Sequence, residues 1–142
     1  MKIREIMTKD VEVITPDTPL REAARMMRDA DTGFLPVGEN DRLVGTVTDR
    51  DIAVRCVAEG ADPNSTPVRH AMSENLVYAT EDQDATEAAR LMQQHNVRRL
   101  PVLSGDKRLV GVVSLGDLAV GTDDESQIAR TEGDIASSPP NN

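Results

Sequence analysis

Most of the chain is written twice. Arg4-Glu5-Ile6-Met7-Thr8 returns as Arg69-His70-Ala71-Met72-Ser73, Ala23-Ala24-Arg25-Met26-Met27 as Ala88-Ala89-Arg90-Leu91-Met92, and Leu35-Pro36-Val37 as Leu100-Pro101-Val102. Each of these pairs is 65 positions apart, whereas Gly45 and Gly111, which open the next matching stretch, are 66 apart. One residue has been inserted in the turn between, where extra length costs little. A period this long marks a tandem of two supersecondary units, and a pair with pseudo-twofold symmetry encloses clefts between its halves. Function is sought first in those clefts.

Each copy resolves into the order strand, helix, strand, strand, helix. Thr18 before Pro19 reads as an N-cap followed by proline at the first helical position, with Leu20, Ala23, Ala24 and Met27 on one apolar face. In the second copy Asp84 and Glu87 read as a capping box, ahead of the apolar face Ala85, Ala88, Ala89 and Met92. Arg21, Arg25, Arg28, Arg90 and Gln94 point outward from these helices. Strands are expected at Val11–Ile14, Phe34–Val37 and Leu43–Thr48, and again at Leu76–Ala79, Leu100–Leu103 and Leu109–Ser114. Polar turns at 38–41 and 104–107 join the later strands of each copy, and helices opened by Asp51 and Asp117 close the copies. The expectation is an α/β (α+β) fold of two β-α-β-β-α motifs packed with pseudo-twofold symmetry. Motif 1 spans 1–60, a turn-rich linker 61–67, motif 2 68–121, and an acidic, largely disordered tail 122–142.

Several function classes are excluded by composition. Phe34 and Tyr78 are the whole aromatic inventory, so base-stacking platforms are missing, and a net charge of −9 argues against binding nucleic acid. The single Cys56 rules out an intrachain disulfide and a multi-cysteine metal site, and reads as a small buried apolar residue. No apolar stretch reaches the roughly 18 to 20 residues of a membrane span, and the Met-Lys-Ile-Arg start lacks a secretory apolar region, so a cytoplasmic protein without membrane contact is expected. His95 reads as a helix C-terminal residue and His70 as an exposed residue of the short helix after the linker. No nucleophile with a nearby base, P-loop or dinucleotide fingerprint is present, so the chain is not expected to be an enzyme.

The Gly-x-x-[Thr/Ser]-x-x-Asp endings at 45–51 and 111–117, the Leu-Pro-Val strand starts and the order of elements together resemble the cystathionine beta-synthase (CBS) domain, here as a tandem pair covering about residues 1–120. More narrowly, Thr48-Asp49-Arg50-Asp51, Ala61-Asp62-Pro63-Asn64 and Val97-Arg98-Arg99-Leu100-Pro101-Val102 resemble the small stand-alone CBS-pair proteins of bacteria. The chemistry of the motif fits a ligand cleft on its own terms. Gly45 and Gly111 permit close approach of a ligand or another backbone, Thr48 and Ser114 offer hydroxyls, and Asp51 and Asp117 offer carboxylates to backbone N–H groups or to a ribose diol. The helix starts there also favour a phosphate.

The resemblance implies that the acid holds ribose hydroxyls, that the hydroxyl residue approaches phosphate, and that adenine is framed by backbone at Val13 and Tyr78 beside the first strands and at Pro36 and Pro101. Arg98 and Arg99 occur only in the second copy, and strand alternation leaves at most one of them facing the cleft as a phosphate clamp. Asp at a helix start is also an ordinary cap, and Thr or Ser at a strand end an ordinary backbone partner. The expectation is therefore a regulatory module binding an adenosine-containing nucleotide (AMP, ATP, NAD(H) or S-adenosylmethionine type), with no obligatory cofactor and no metal. Its expected partners are a second copy in a disc-shaped homodimer and a regulated protein. The competing reading is a ligand-independent dimerisation scaffold.

Overall fold

The computed structural model describes residues 1–121, so the expectation for the tail at 122–142 lies outside the described residues. Helices and strands alternate in a mixed α+β architecture that repeats once. The first copy contains α1 (Leu20–Ala30), β1 (Phe34–Glu39), β2 (Arg42–Thr48) and α2 (Asp49–Ile52), which runs on as a π-helical stretch at Ala53–Val57. The second contains β3 (Ala79–Thr80), α3 (Ala85–His95), β4 (Arg99–Leu103), β5 (Leu109–Ser114) and α4 (Leu115–Gly121). Single-turn 3-10 helices at Ile3–Glu5 and Val68–His70 stand at the heads of the two copies.

The chain gathers into two compact units that cut across the sequence repeats. One is Glu12–Leu76, and the other joins Met1–Val11 to the chain from Val77 onward. The head of each repeat therefore packs on the body of the other. In the Glu12–Leu76 unit the core is Ile14, Leu20, Ala23, Met27, Leu35, Val37, Val47, Cys56, Val68 and Ala71. The equivalent core of the other unit runs from Ile3 through Ala88, Ala89, Met92, Leu100 and Val102 to Val113 and Leu118. Fully burying a side chain such as Ile3 or Leu20 contributes about 1.5–3 kcal/mol, which is why the heads dock where they do. Each docked head carries the same surface ion pair, Arg69 with Asp17 in one unit and Arg4 with Asp82 in the other.

Both hairpins are antiparallel, with Val37 opposite Gly45 and Val102 opposite Gly111, and both slip register just after those valines. The first closes through Asn40 and Asp41, whose φ values of 53° and 63° suit a tight two-residue turn. Residues 104–108 close the second, and Lys107 takes the positive φ of 66°. The inserted residue thus lies in this hairpin turn.

The strands expected ahead of the helices are shorter than the sequence suggests. Val11–Ile14 contributes only a parallel bridge from Ile14 to Val37, and the strand expected at Leu76–Ala79 is the two-residue β3, parallel to Val102 and Leu103. Turns end both at once, because Thr18 N–H donates to the Thr15 carbonyl at 3.1 Å and Gln83 N–H to the Thr80 carbonyl at 3.0 Å.

The helix starts also differ in detail. Thr18 does not cap α1: its hydroxyl accepts from Thr15 N–H at 3.1 Å, and Pro19 holds the N-cap position. The first helical N–H groups, of Leu20 and Arg21, donate to the linker carbonyls of Thr66 and Pro63 at 2.9 and 3.0 Å. Asp84 does cap α3, accepting from Thr86 N–H at 3.0 Å, but Glu87 completes no capping box because its carboxylate takes Arg90 Nε at 3.0 Å. Ala24, expected on the apolar face of α1, is exposed. Asp31 and Asn96 end α1 and α3 in the left-handed conformation, at φ 52° and 56°.

Candidate functional site

In each unit the spacing of three between hydroxyl and acid builds a reciprocal capping box. Asp51 N–H donates to Thr48 Oγ1 at 3.1 Å while Thr48 N–H donates to Asp51 Oδ2 at 2.9 Å. Asp117 N–H donates to Ser114 Oγ at 3.1 Å, and Ser114 N–H to Asp117 Oδ2 at 2.8 Å. Two orphan donors at each strand-to-helix corner are satisfied this way, so the motif has a local structural cause before any ligand is considered. The hydroxyl residue is the cap and the acid sits one turn in. One carboxylate oxygen of each acid remains outside the box.

The strand glycines are explained by backbone. A Cβ on Gly45 would lie 2.8 Å from the Ser73 carbonyl oxygen, and one on Gly111 only 2.6 Å from that of Thr8. The reason is the docked head: Thr46 and Ser73 exchange N–H···O bonds at 3.0 and 2.8 Å, and Thr8 and Val112 do so at 2.9 and 3.0 Å. Of the two approaches the sequence allowed, that of another backbone is the one present, and it fills the space over both glycine Cα atoms.

The remaining candidates fall into two sets, one in each unit. In the Glu12–Leu76 unit, Pro36 is buried in β1 opposite Thr46, its carbonyl accepts from Ile14 N–H at 3.3 Å, and Val13, next to that bond, is 45% exposed. In the other unit Pro101 is buried opposite Val112, Tyr78 is half-buried beside Ala79, and Arg98 and Arg99 are half-buried at the start of β4. Arg99 stands directly across the ladder from Ser114, and the Arg98 carbonyl accepts from Leu115 N–H at 2.9 Å. The arginine pair and the Ser114–Asp117 box therefore share one corner. The first copy has Gly33 and Phe34 at the matching positions, both buried.

Arg55 is a participant that motif reading missed. Its Nε lies 3.9 Å from Asp51 Oδ1, and its Nη1 donates to the carbonyls of Ala71 and Met72 at 3.3 and 3.5 Å. The helical i,i+4 spacing of Asp51 and Arg55 was the available signal. Cys56 is buried in the core, and burial pushes its thiol pKa up, away from a reactive thiolate. Among the described residues no group of three His, Cys, Asp or Glu side chains is placed to hold a metal ion, and no helix is long and apolar enough to cross a membrane.

Two copies of one α+β unit, each with a capped strand-to-helix corner carrying a polar cluster, define a tandem-repeat module. The chain belongs to the CBS domain family: the family model matches residues 3–57 and again 68–120. CBS domain-containing protein YhcV of Bacillus subtilis is 42% identical over 118 residues, 83% of each chain. Hypoxic response protein 1 of Mycobacterium tuberculosis is 38% identical over 82% of this chain and 81% of that protein. The crystal structure of Hypoxic Response Protein I with two coordinated zinc ions matches with a TM-score of 0.79 at 36% identity, covering 86% of this chain and 99% of that one. The CBS domain pair of MJ0100 in complex with 5′-methylthioadenosine and S-adenosyl-L-methionine matches with a TM-score of 0.74 at 26% identity, covering 84% of this chain and 94% of that one.

Proposed function

We propose that this chain is a sensor that binds an adenosine-containing nucleotide at one or both of its strand-to-helix corners and passes occupancy to a protein partner. The carrying observation is the corner at Ser114 and Asp117. There, a carboxylate with one oxygen outside its capping box and a hydroxyl directly across the ladder from an arginine offer the acceptor a ribose diol needs and the cation a phosphate needs. The 5′-methylthioadenosine and S-adenosyl-L-methionine of the MJ0100 pair support the adenosine part of this reading. In this reading Pro101 and Tyr78 frame the base at that corner, and Pro36 and Val13 are their counterparts at the other. Gly45 and Gly111 act indirectly, by letting the head segments close over the strands.

A cytoplasmic homodimer completes the reading, supported by Val54 and Val57, which are 53% and 63% exposed on one helical stretch. No catalytic role is included, because the polar groups of the corners are those of a binding site.

The test is a thermal-shift series with AMP, ATP, NADH and S-adenosylmethionine, since a ligand that binds only the native state raises its melting temperature. Asp117→Ala should abolish the shift, and Asp117→Asn should reduce it by less, because an amide oxygen still accepts. A specific observation favours a second reading, a ligand-independent scaffold: the capping boxes and backbone contacts account for Thr48, Ser114, both acids and both glycines with no ligand. Melting temperatures unmoved by all four ligands would decide for it.

A further inference from the structure

The two corners are built from one motif and are chemically unequal. At the first, the Arg55 guanidinium sits among three acceptors, with Nε 3.9 Å from Asp51 Oδ1 and Nη1 within 3.3 and 3.5 Å of the Ala71 and Met72 carbonyl oxygens. The Asp51 side chain is 20% exposed, against 52% for Arg55. With Oδ2 committed to Thr48 N–H, both carboxylate oxygens of Asp51 face a donor of this chain. Position 121, which corresponds to Arg55 at the 66-residue offset, is a glycine, so Asp117 has no cation one helical turn on. Only the second corner, moreover, carries arginines at the strand start.

We infer that Arg55 decides how many nucleotides the chain takes: its guanidinium, ion-paired with Asp51, competes with a diol for that acid and leaves the Asp117 corner as the single site. This inference rests on the nucleotide reading above. The physical basis is competition. A ribose diol at Asp51 must compete with a guanidinium within ion-pair range, whereas the glycine at position 121 puts no such cation one helical turn on from Asp117. Arg55 also ties the stretch after α2 to the carbonyls of the docked head, so a ligand at Asp51 would have to loosen that tie as well.

Isothermal titration of the full chain with AMP, and with 5′-methylthioadenosine as a diol without phosphate, tests this. The expected result is one site per chain in the wild type. Arg55→Met, and Arg55→Gln, which keeps an N–H donor for the Ala71 and Met72 carbonyls, should each raise the stoichiometry to two, and adding Asp51→Ala to Arg55→Gln should return it to one. A purely structural role for Arg55 would lower melting temperature without adding a site. Two sites in the wild type, or one site in both Arg55 variants with folding retained by circular dichroism, overturns the inference and leaves the nucleotide reading standing. No binding of either probe to the wild type or to the Arg55 variants at millimolar concentration overturns the reading itself, and this inference with it.

Discussion

An added methyl at Gly111 would lie 2.6 Å from the Thr8 carbonyl oxygen and 2.9 Å from the Met7 sulfur, and the first of these is backbone that cannot swing aside. Gly111→Ala should therefore destabilise the fold by about 1–3 kcal/mol, the usual cost of overpacking. Among the described residues, a Cβ on Gly116, in the first turn of α4, would meet only Ser114 Oγ, at 3.6 Å. Gly116→Ala should be neutral or stabilising, by up to about 1 kcal/mol, because alanine is the better helix former. Urea unfolding of the two variants compares them directly, and equal midpoints would refute the backbone explanation of the strand glycine. At this scale the motif residues were legible because their spacing is local. Arg55 was legible only in its spacing from Asp51, because its other partners, Ala71 and Met72, are supplied by a segment of the other repeat.

Elements depended on how much of their shape was set by neighbours in sequence. The hairpins were readable to within two residues, since alternation and turn chemistry act over a few positions. The capping of α1 was misread because its first N–H groups are satisfied by the distant carbonyls of Pro63 and Thr66 rather than by Thr18. At α3 the cap is local and charged: the Asp84 carboxyl is held well below the usual carboxylate range by the Thr86 hydroxyl, then the Thr86 N–H, then the α-amino group of Met1. A depressed acid favours the native state fully above its unfolded-state pKa of about 4, and that contribution falls away as pH drops below it. Asp84→Asn, which still caps, should lose part of that acid-sensitive stabilisation. Melting temperatures of wild type and variant followed from about pH 6 to pH 2.5 should converge toward the acid end, and parallel curves would show that the ionised cap contributes nothing.

For the molecule as a whole, the exchange of head segments makes stability depend on residues far from the body they complete. Ile3 is fully buried in the core of the unit formed from Val77 onward. Ile3→Ala should cost about 2–5 kcal/mol, as for other large core truncations, and hydrogen exchange should show the loss in α3, β4 and β5. Protection lost instead in β1 and β2 would contradict the exchanged packing. On the proposed homodimer, light scattering should give about twice the chain mass of 15.4 kDa. Val57→Glu should bring it down to the monomer value without unfolding the chain, since burying an unpaired carboxylate at an apolar interface is costly. A monomer mass for the wild type across micromolar concentrations would remove the dimer from the reading.

By itself the sequence determined the repeat, the α+β order, the two hairpins and the hydroxyl-to-acid corners. The repeat follows from self-similarity at 65 to 66 residues, and the others from periodicities and spacings that act within a dozen residues. The tertiary structure alone decided that residues 1–11 complete the second body while 66–76 lie against the first. It also decided that the strand glycines serve a backbone, and that Arg55 reaches Asp51 and two carbonyls at once. The two heads match in pattern, with Arg4 and Arg69, Met7 and Met72, and Ile3 and Val68 at equivalent places, so local pattern cannot say which body each one joins. That choice is made by long-range burial of Ile3 and Val68, a contact energy with no signature in the sequence near either residue.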